Sequence, residues 1–220
     1  MIKDIFNIYI ERWDFFSKLI LEHITLTAIS VMIIAVFGLT LGIAMTRNKL
    51  LANITFGITN FLYTIPSIAL FGVLVTFTGI GNKSAIIALS IYGILPIIRN
   101  TYVGIMEVDK QVIESAIGMG TTKRELLFRI QLPLALPVIF TGFRTMVIMT
   151  IALGGIASFI GAGGLGVAIW RGISTNFPAM TMAGSLLVAT LAIITDLILQ
   201  KIENVMIRKI SGNEKMEGDI

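Results

Sequence analysis

The sequence predicts an all-α membrane protein that crosses the bilayer about five times. Of its 220 residues, 55% are hydrophobic and only 14% are charged, whereas a soluble domain has about 25% charged residues. A helix needs roughly 20 apolar residues to cross a bilayer, and several uncharged stretches are that long: 24–46, 50–82, 145–170 and 172–195. Membrane barrels show short alternating segments instead, so we expect helices.

Turn residues and charges divide these stretches into five spans. We predict the spans at about 24–46, 52–77, 84–106, 134–160 and 178–200. The uncharged stretch that contains the second span is too long for one straight crossing, because at about 1.5 Å per residue it would reach roughly 50 Å. We therefore expect Pro66 to kink this span, and we expect both Pro66 and Pro96 to act as helix breaks.

The parts of the chain outside the spans are short. Residues 1–23 mix both charge signs with aromatic residues, and their apolar runs are too short for the core of a signal peptide. This composition predicts an amphipathic segment on the external membrane surface. Residues 24–205 are the predicted transmembrane domain, which includes a cytoplasmic loop at 107–133, and residues 206–220 are a predicted cytoplasmic tail.

The distribution of lysine and arginine predicts the orientation in the membrane. With five alternating spans, the turn at 47–50, the segment 99–133 and the C-terminal tail lie on the same side and carry eleven of these residues. The opposite side carries five. Lysine and arginine are enriched in cytoplasmic loops, so we expect the N-terminus outside and the C-terminus in the cytoplasm.

Several classes of function are excluded by what the chain lacks. Without cysteine it has no disulfide, thiolate metal site or cysteine nucleophile. His23 is the only histidine, too few for a metal site of the usual kind, and we expect it to be solvated at the outer end of the first span. No GxxxxGK[ST] motif is present, so we expect no ATP hydrolysis by this chain, no enzyme activity and no cofactor.

Two further signals in the apolar stretches have structural interpretations. The glycines of "GAGGLG" (161–166) satisfy GxGxxG, but they follow a membrane span rather than a strand, and the next acidic residue is Asp196. We interpret them as a tight external turn or close helix contact. Arg144 and Asp196 lie within apolar runs, where charge is costly, and we expect pairing between helices or at the interface rather than a transport role.

The cytoplasmic loop predicts two short helices joined at glycines. Thr121 or Thr122 can N-cap "TTKRELLFRIQ", and Glu125, three residues after Thr122, would complete a capping box. Gly118 and Gly120 allow a tight turn between the helices, and Pro133 marks the re-entry into the membrane. A protruding helical elbow of this kind is suited to docking into a groove on a cytoplasmic partner.

The same loop resembles a known family. The pattern Glu114-Ser115-Ala116, Gly120, Ile130 and Leu132-Pro133 matches the "EAA…G…I-LP" loop of binding-protein-dependent ABC importer permeases, with serine in place of the first alanine. The resemblance implies that these seven residues form the coupling loop, which inserts into a cytoplasmic ATP-hydrolysing subunit.

The resemblance extends over about residues 20–205. The segments "NFLYTIPSIALFG" (60–72), "YGILPIIRNTYVGI" (92–105) and "FIGAGGLG" (159–166) are similar to permeases of the osmoprotectant group, which import glycine betaine, carnitine, choline or proline betaine. This implies the type I ABC importer permease (MetI-like) fold in the cell membrane. It also implies ABC ATPase subunits, an external substrate-binding protein, and a second permease copy or a paralogous permease as partners.

A set of aromatic, proline and serine residues in the second and third spans is a candidate pathway or gate: Tyr63, Pro66, Ser67, Tyr92 and Pro96. A quaternary ammonium ion is attracted to aromatic faces, and the prolines are suited to helix breaks that let a gate move. Ordinary packing of these side chains within the bundle remains an open alternative.

Other functions remain alternatives to an osmolyte permease. One is an ABC permease for another small solute, such as an amino acid or a thiol-betaine. Another is an ATP-independent channel or ion-coupled carrier, which the scarcity of acidic residues within the spans disfavours. A membrane enzyme would need a nucleophile with its base or a metal set, and the sequence shows neither.

Overall fold

The computed structural model describes the backbone of residues 2–217 and the side chains of residues 3–208. Within this part of the chain every regular element is helical. The α-helices are α1 (Ile2–Glu11), α2 (Trp13–Arg47), α3 (Lys49–Thr64), α4 (Ser67–Thr78), α5 (Asn82–Met106), α6 (Lys110–Gly118), α7 (Lys123–Glu125), α8 (Leu132–Gly154), α9 (Gly166–Ser174) and α10 (Pro178–Glu217). A π-helical turn (Leu126–Gln131) joins α7 to α8, and a short 3-10 turn (Ala157–Ile160) follows α8.

Four helices of the described chain are long and apolar enough to cross a membrane. They are α2, α5, the helix Lys123–Gly154 that runs through α7 and α8, and Pro178–Arg208 within α10. Four of the five predicted spans correspond to these helices. The fourth span differs most, since its helix begins at Lys123 rather than near 134 and ends at Gly154 rather than 160.

The second predicted span is not a single crossing helix. The chain breaks between α3 and α4, which meet at an angle of 102° and have only 16 and 12 residues. Ile65 is extended, with φ −77° and ψ 125°, as expected for a residue that precedes proline. The predicted kink at Pro66 is confirmed, and it is a complete break; we call the α3–α4 corner the elbow. The pair counts as a fifth span only if both arms are taken together.

The helix break predicted at Pro96 is wrong. The helix α5 continues through Pro96 to Met106. Proline has no N–H, so the carbonyl four residues earlier, on Tyr92, loses its helical donor. The hydroxyl of Tyr63 on α3 donates a hydrogen bond to that carbonyl instead. A donor from another helix therefore replaces the missing bond, and the helix tolerates the proline.

The central packing is formed by α2, α5 and α8, which approach closely at glycines. A Cβ on Gly38 of α2 would lie 2.3 Å from the Cγ2 of Ile97 on α5. Nearby on α5, a Cβ on Gly142 of α8 would lie 2.4 Å from the Cβ of Asn100. Small residues at such contacts allow helix backbones to approach closely in a membrane, where van der Waals packing drives association.

An ion network links α8 to α10. Arg144 donates from Nε and Nη2 to both carboxylate oxygens of Asp196, over 2.6 and 2.9 Å, and from Nη1 to Glu203 over 2.9 Å. The hydroxyl of Thr141 donates to the other oxygen of Glu203. The expected pairing between helices is confirmed, and the structure shows that Arg144 and Asp196 are partners. Glu203 was not expected from the sequence, yet it is only 8% exposed.

The prediction that His23 is solvated is wrong, since its side chain is fully buried. The helix α2 begins at Trp13, ten residues earlier, so His23 lies within the bundle rather than at the end of the helix. Its Nε2 lies 3.1 Å from the carbonyl oxygen of Ile151 near the end of α8. The N–H of Gly155 bonds to Ala152 instead of Ile151, so the histidine caps a carbonyl that the helix leaves open.

The glycine segment 161–166 is a tight turn, as predicted. Gly161 and Gly164 have φ values of 75° and 96°, a left-handed conformation that glycine adopts readily. The N–H of Gly164 donates to the carboxylate of Glu22 on α2 over 3.1 Å. The N–H of Gly163 donates to the side chain of Asn82 on α5 over 3.0 Å. The turn therefore fastens the region after α8 to α2 and to the start of α5.

Candidate coupling loop and elbow

Both ends of α6 are capped by local sequence. At the start, the carboxylate of Asp109 accepts from the N–H of Gln111 over 2.8 Å. At the end, the N–H groups of Gly120 and Thr121 donate to the carbonyls of Ile117 and Ala116, the two bonds of a Schellman motif. Gly120 occupies the left-handed position with φ 84°. Gly118 is the last helical residue, so Gly120 alone makes the predicted turn.

The next helix begins with the predicted capping box. The N–H of Glu125 donates to the hydroxyl of Thr122 over 3.3 Å, and the N–H of Thr122 donates to the Glu125 carboxylate over 3.2 Å. The hydroxyl of Thr122 also donates to that carboxylate over 2.7 Å. These hydrogen bonds lower the pKa of Glu125, and the charge of Arg129, 3.6 Å away, lowers it further.

From this cap the chain forms one long helix into the membrane domain. The N–H of Leu132 bonds to the carbonyl of Leu127, five residues earlier, so the helix widens by a π-helical turn just before Pro133. The widening accommodates the proline without ending the helix. The 32 residues of Lys123–Gly154 extend about 48 Å at 1.5 Å per residue. We call this helix the rod.

The candidate coupling residues divide into an exposed group and a packed group. Glu114, Ser115, Gly120 and Pro133 are exposed, whereas Ala116 is only 2% exposed. Ile130 and Leu132 are partly buried on the rod. The buried Ala116 holds α6 against the π-helical turn region, and α6 presents its charged and polar residues outward.

Sequence reasoning missed the exposed apolar side chains of this loop. Ile117, Met119 and Phe128 are 56%, 80% and 54% exposed. Large apolar residues on the surface of a segment outside the predicted spans are typical of an interaction site. The signal was available in "AIGMG", where apolar residues alternate with glycines and have no helical core face to occupy.

The structure also brings together the candidate residues of the second and third spans. The hydroxyl of Tyr63 donates to the carbonyl of Tyr92, and the hydroxyl of Tyr92 donates to the carbonyl of Ile65 at the elbow. The two rings are tilted with their centroids 5.6 Å apart. Tyr92 is 5% exposed, whereas Tyr63 is partly exposed and Ser67 begins α4 beside Pro66.

An open apolar groove of about 400 Å³ lies beside these residues, between α2, α3 and α5. Its lining includes Phe37, Leu62 and Ile91, and Ser90 is the one residue with a hydroxyl. The groove has no charged residue in its lining. Among the described residues, no group of three His, Asp or Glu side chains is arranged to hold a metal ion.

Comparison with known proteins identifies relatives along most of the chain. Residues 34–208 match the family described as binding-protein-dependent transport system inner membrane component. The chain is 40% identical over 195 residues to the glycine betaine/carnitine/choline transport system permease protein OpuCD of Bacillus subtilis (strain 168), covering 87% of this chain and 85% of that protein.

A second relative is much longer. The chain is 42% identical over 169 residues to the ergothioneine transport permease/ergothioneine binding protein EgtU of Helicobacter pylori (strain G27). The alignment covers 77% of this chain but only 31% of that protein.

Among solved structures, the fold is similar to a chain of the MetNI methionine ABC transporter in an inward-facing conformation. The TM-score is 0.77 at 23% identity, covering 86% of this chain and 95% of that chain. At this identity the similarity establishes the fold alone. The chain therefore belongs to the family of binding-protein-dependent transport system inner membrane components, and it is a multi-pass membrane protein with the MetI-like fold of ABC importer permeases.

Proposed function

We propose that this chain is the membrane-spanning permease of an ATP-driven importer that moves a quaternary ammonium osmolyte into the cell. The observation that carries the proposal is the 40% identity, over most of both chains, to a permease named for glycine betaine, carnitine and choline. These three compounds share a trimethylammonium group. That group is the chemistry we assign to the substrate.

The proposed assembly follows from the family and the charge distribution. Cytoplasmic ABC ATPase subunits supply the energy, an external binding protein delivers the substrate, and a second copy or a paralogous permease completes the pore. The lysine and arginine bias supports an external N-terminus and a cytoplasmic C-terminus. We retain the division into an external segment (1–23), a transmembrane domain (24–205) with its loop (107–133), and a tail (206–220), of which residues 218–220 lie outside the described chain.

In this proposal the loop transmits movement from the ATPase to the membrane domain. A groove on the ATPase receives α6, with Ile117 and Met119 as apolar contacts and Glu114 and Ser115 as polar ones. Ala116 and Gly120 hold α6 at a fixed angle to the rod. Support comes from the capped ends of α6 and from the continuity of the rod to Gly154, because a flexible connection could not transmit displacement.

The rod carries this movement to the centre of the bundle. Ile130 and the Leu132-Pro133 pair lie where it leaves the loop, and farther along it packs closely on α5 at Gly142. Farther along α5 the elbow is bonded through Tyr63 and Tyr92. We propose that the elbow residues, including Pro66, Ser67 and Pro96, act in the gate or along the pathway.

One other substrate has support from a specific observation. The relative that is 42% identical to this chain is named for ergothioneine, a thiol-containing betaine that also has a trimethylammonium group. A thiol-betaine is therefore the second candidate substrate. An amino acid substrate or an ATP-independent channel has no comparable observation in its favour.

The substrate assignment is tested by competition for uptake. Vesicles that contain the permease with its ATPase and binding protein are given ATP inside and a labelled betaine outside. We expect glycine betaine, carnitine, choline or ergothioneine to compete, while amino acids without a trimethylammonium group do not. Failure of every trimethylammonium compound would reject the substrate class, and uptake that is equal without ATP would reject the importer itself.

The coupling assignment is tested by a matched pair of glycine variants. Gly118 and Gly120 both have open space where a Cβ would be added, but only Gly120 has a left-handed φ. Gly120→Ala should therefore misalign α6 and reduce ATP-driven uptake, whereas Gly118→Ala should leave uptake near the wild-type rate. Met119→Glu should weaken co-purification of the ATPase with normal membrane insertion. Unchanged uptake and co-purification in all variants would contradict the coupling role.

A further inference from the structure

The elbow is held against α5 by two hydrogen bonds that run in opposite directions. Tyr63, on the elbow, donates to the backbone of α5, and Tyr92, on α5, donates to the backbone of the elbow. We propose that this reciprocal pair is a latch that sets the elbow angle and has to open for the elbow to move during transport. The role in transport rests on the proposed function, whereas the latch itself rests on the positions of the two tyrosines.

Each bond of the latch satisfies a carbonyl at or next to a proline, one inside α5 and one at the break between α3 and α4. Pro96 has no N–H, so the carbonyl of Tyr92 lacks its helical partner, and the Tyr63 hydroxyl takes that place. At the elbow, the N–H of Ala69 bonds to Pro66 rather than to Ile65. The hydroxyl of Tyr92 bonds to the Ile65 carbonyl instead. Tyr63 therefore replaces the backbone bond that Pro96 removes, and Tyr92 bonds a carbonyl that the break at Pro66 leaves outside both helices.

The hydrogen bonds of the latch lie among packed side chains, where the loss of a donor is costly. Tyr92 is 5% exposed and Ile65 is half-buried. A carbonyl that is shielded from water and lacks a donor is unfavourable. The ring of Tyr63 lies against that of Tyr92, and its hydroxyl is 3.6 Å from the sulfur of Met149 on α8. The latch thus sits where α3, α5 and α8 meet, beside the rod.

The chain is suited to measuring the elbow directly, because it has no cysteine. Ile58 on α3 and Val73 on α4 are 56% and 54% exposed, so Ile58→Cys and Val73→Cys can carry spin labels on the two arms. The distance between the labels is measured in the full complex in nanodiscs, with labelled chains diluted by unlabelled ones. Tyr63→Phe and Tyr92→Phe each remove one hydroxyl and keep the ring.

We expect each phenylalanine variant to lower the ratio of latched to released elbows by about five-fold, the effect of one net hydrogen bond. The distance distribution should broaden accordingly. Tyr102→Phe is the control, since Tyr102 lies on α5 like Tyr92 and its ring packs on Phe56. Within the described residues, the hydroxyl of Tyr102 makes no hydrogen bond. Equal distributions for Tyr63→Phe, Tyr92→Phe and Tyr102→Phe would overturn the latch.

A rescue experiment separates the latch from general damage at the elbow. Pro96→Ala restores an N–H that can bond to the Tyr92 carbonyl within α5. In that background Tyr63→Phe should no longer change the distance distribution, whereas Tyr92→Phe should keep its effect because the Ile65 carbonyl still needs a donor. If Tyr63→Phe has the same effect with and without Pro96→Ala, the bond is not what holds the elbow.

Movement of the elbow during transport is tested by tethering its arms. A cleavable cross-linker between the cysteines at positions 58 and 73 should abolish ATP-driven uptake, and cleavage should restore it. Wild-type uptake by the tethered chain would show that the elbow does not move in the cycle. Absence of ATP-driven uptake in the chain without the tether would instead count against the proposed function, leaving the distance measurements to decide the latch.

Discussion

Gly142→Ala is the sharpest test of how closely the rod packs on α5. The added Cβ would lie 2.4 Å from the Cβ of Asn100 and 3.0 Å from the carbonyl oxygen of Pro96. Carbon atoms in favourable contact are about 3.5–4.0 Å apart, so one helix has to move by roughly 1 Å. Neither contact is with the far end of a flexible side chain, and the strain cannot be relieved by a change of rotamer.

The magnitude is obtained by comparison with Gly57→Ala and Gly72→Ala. Both controls are helical positions in α3 and α4 with nothing within 4 Å of the added Cβ, so they should show only the intrinsic gain of alanine over glycine, about 1 kcal/mol. Gly142→Ala has the same gain but an overpacking cost of about 1–3 kcal/mol. The variants should therefore differ by about 1–3 kcal/mol.

Thermal unfolding of the purified permease in one detergent measures this difference. For a chain of this size, 1 kcal/mol corresponds to about 2–4 °C, so Gly142→Ala should unfold about 2–12 °C below the two controls. ATP-driven uptake should fall together with the unfolding temperature, because the rod can no longer pack closely on α5. A Gly142→Ala variant as stable as Gly57→Ala and Gly72→Ala would refute the close contact.

Three further predictions concern local features. Gly120→Ala should cost about 1–2 kcal/mol, the penalty of a left-handed conformation for an L-residue, and hydrogen exchange of α6 should rise relative to Gly118→Ala. The pKa of Glu125 is lowered below its ordinary value of 4.5 in the folded chain. The stability that its capping box contributes is therefore fully present above pH 4.5 and is lost as the pH falls through the lower folded pKa. Hydrogen exchange at the start of the rod should rise only below pH 4.5. Arg144→Met leaves the carboxylates of Asp196 and Glu203 without their cation, so the thermal midpoint should fall. Adding Asp196→Asn and Glu203→Gln to Arg144→Met removes both negative charges and should restore most of the midpoint. Equal midpoints for the single and the triple variant would show that charge is not the cause.

The features that could be predicted from the sequence are those that depend on residues close together in the chain. Membrane insertion depends on the apolar content of a single stretch, so composition determined the class of protein and four of the spans. Capping depends on residues within three positions of each other, and the Thr122–Glu125 box followed from spacing alone. The turn at Gly120 and the break at Pro66 are likewise properties of the backbone at one residue.

Long-range contacts decided the remaining features. The carbonyl that Pro96 leaves open receives its donor from Tyr63, 29 residues away in sequence. His23 is buried because α8 ends against it, 128 residues later. The continuity of the rod depends on a π-helical turn that no residue type announces. The sequence by itself determined that the chain lies in the membrane and has a loop with a capped helix start. Only the tertiary structure decided that α5 continues through Pro96, since a tyrosine of another helix bonds the carbonyl that this proline leaves open.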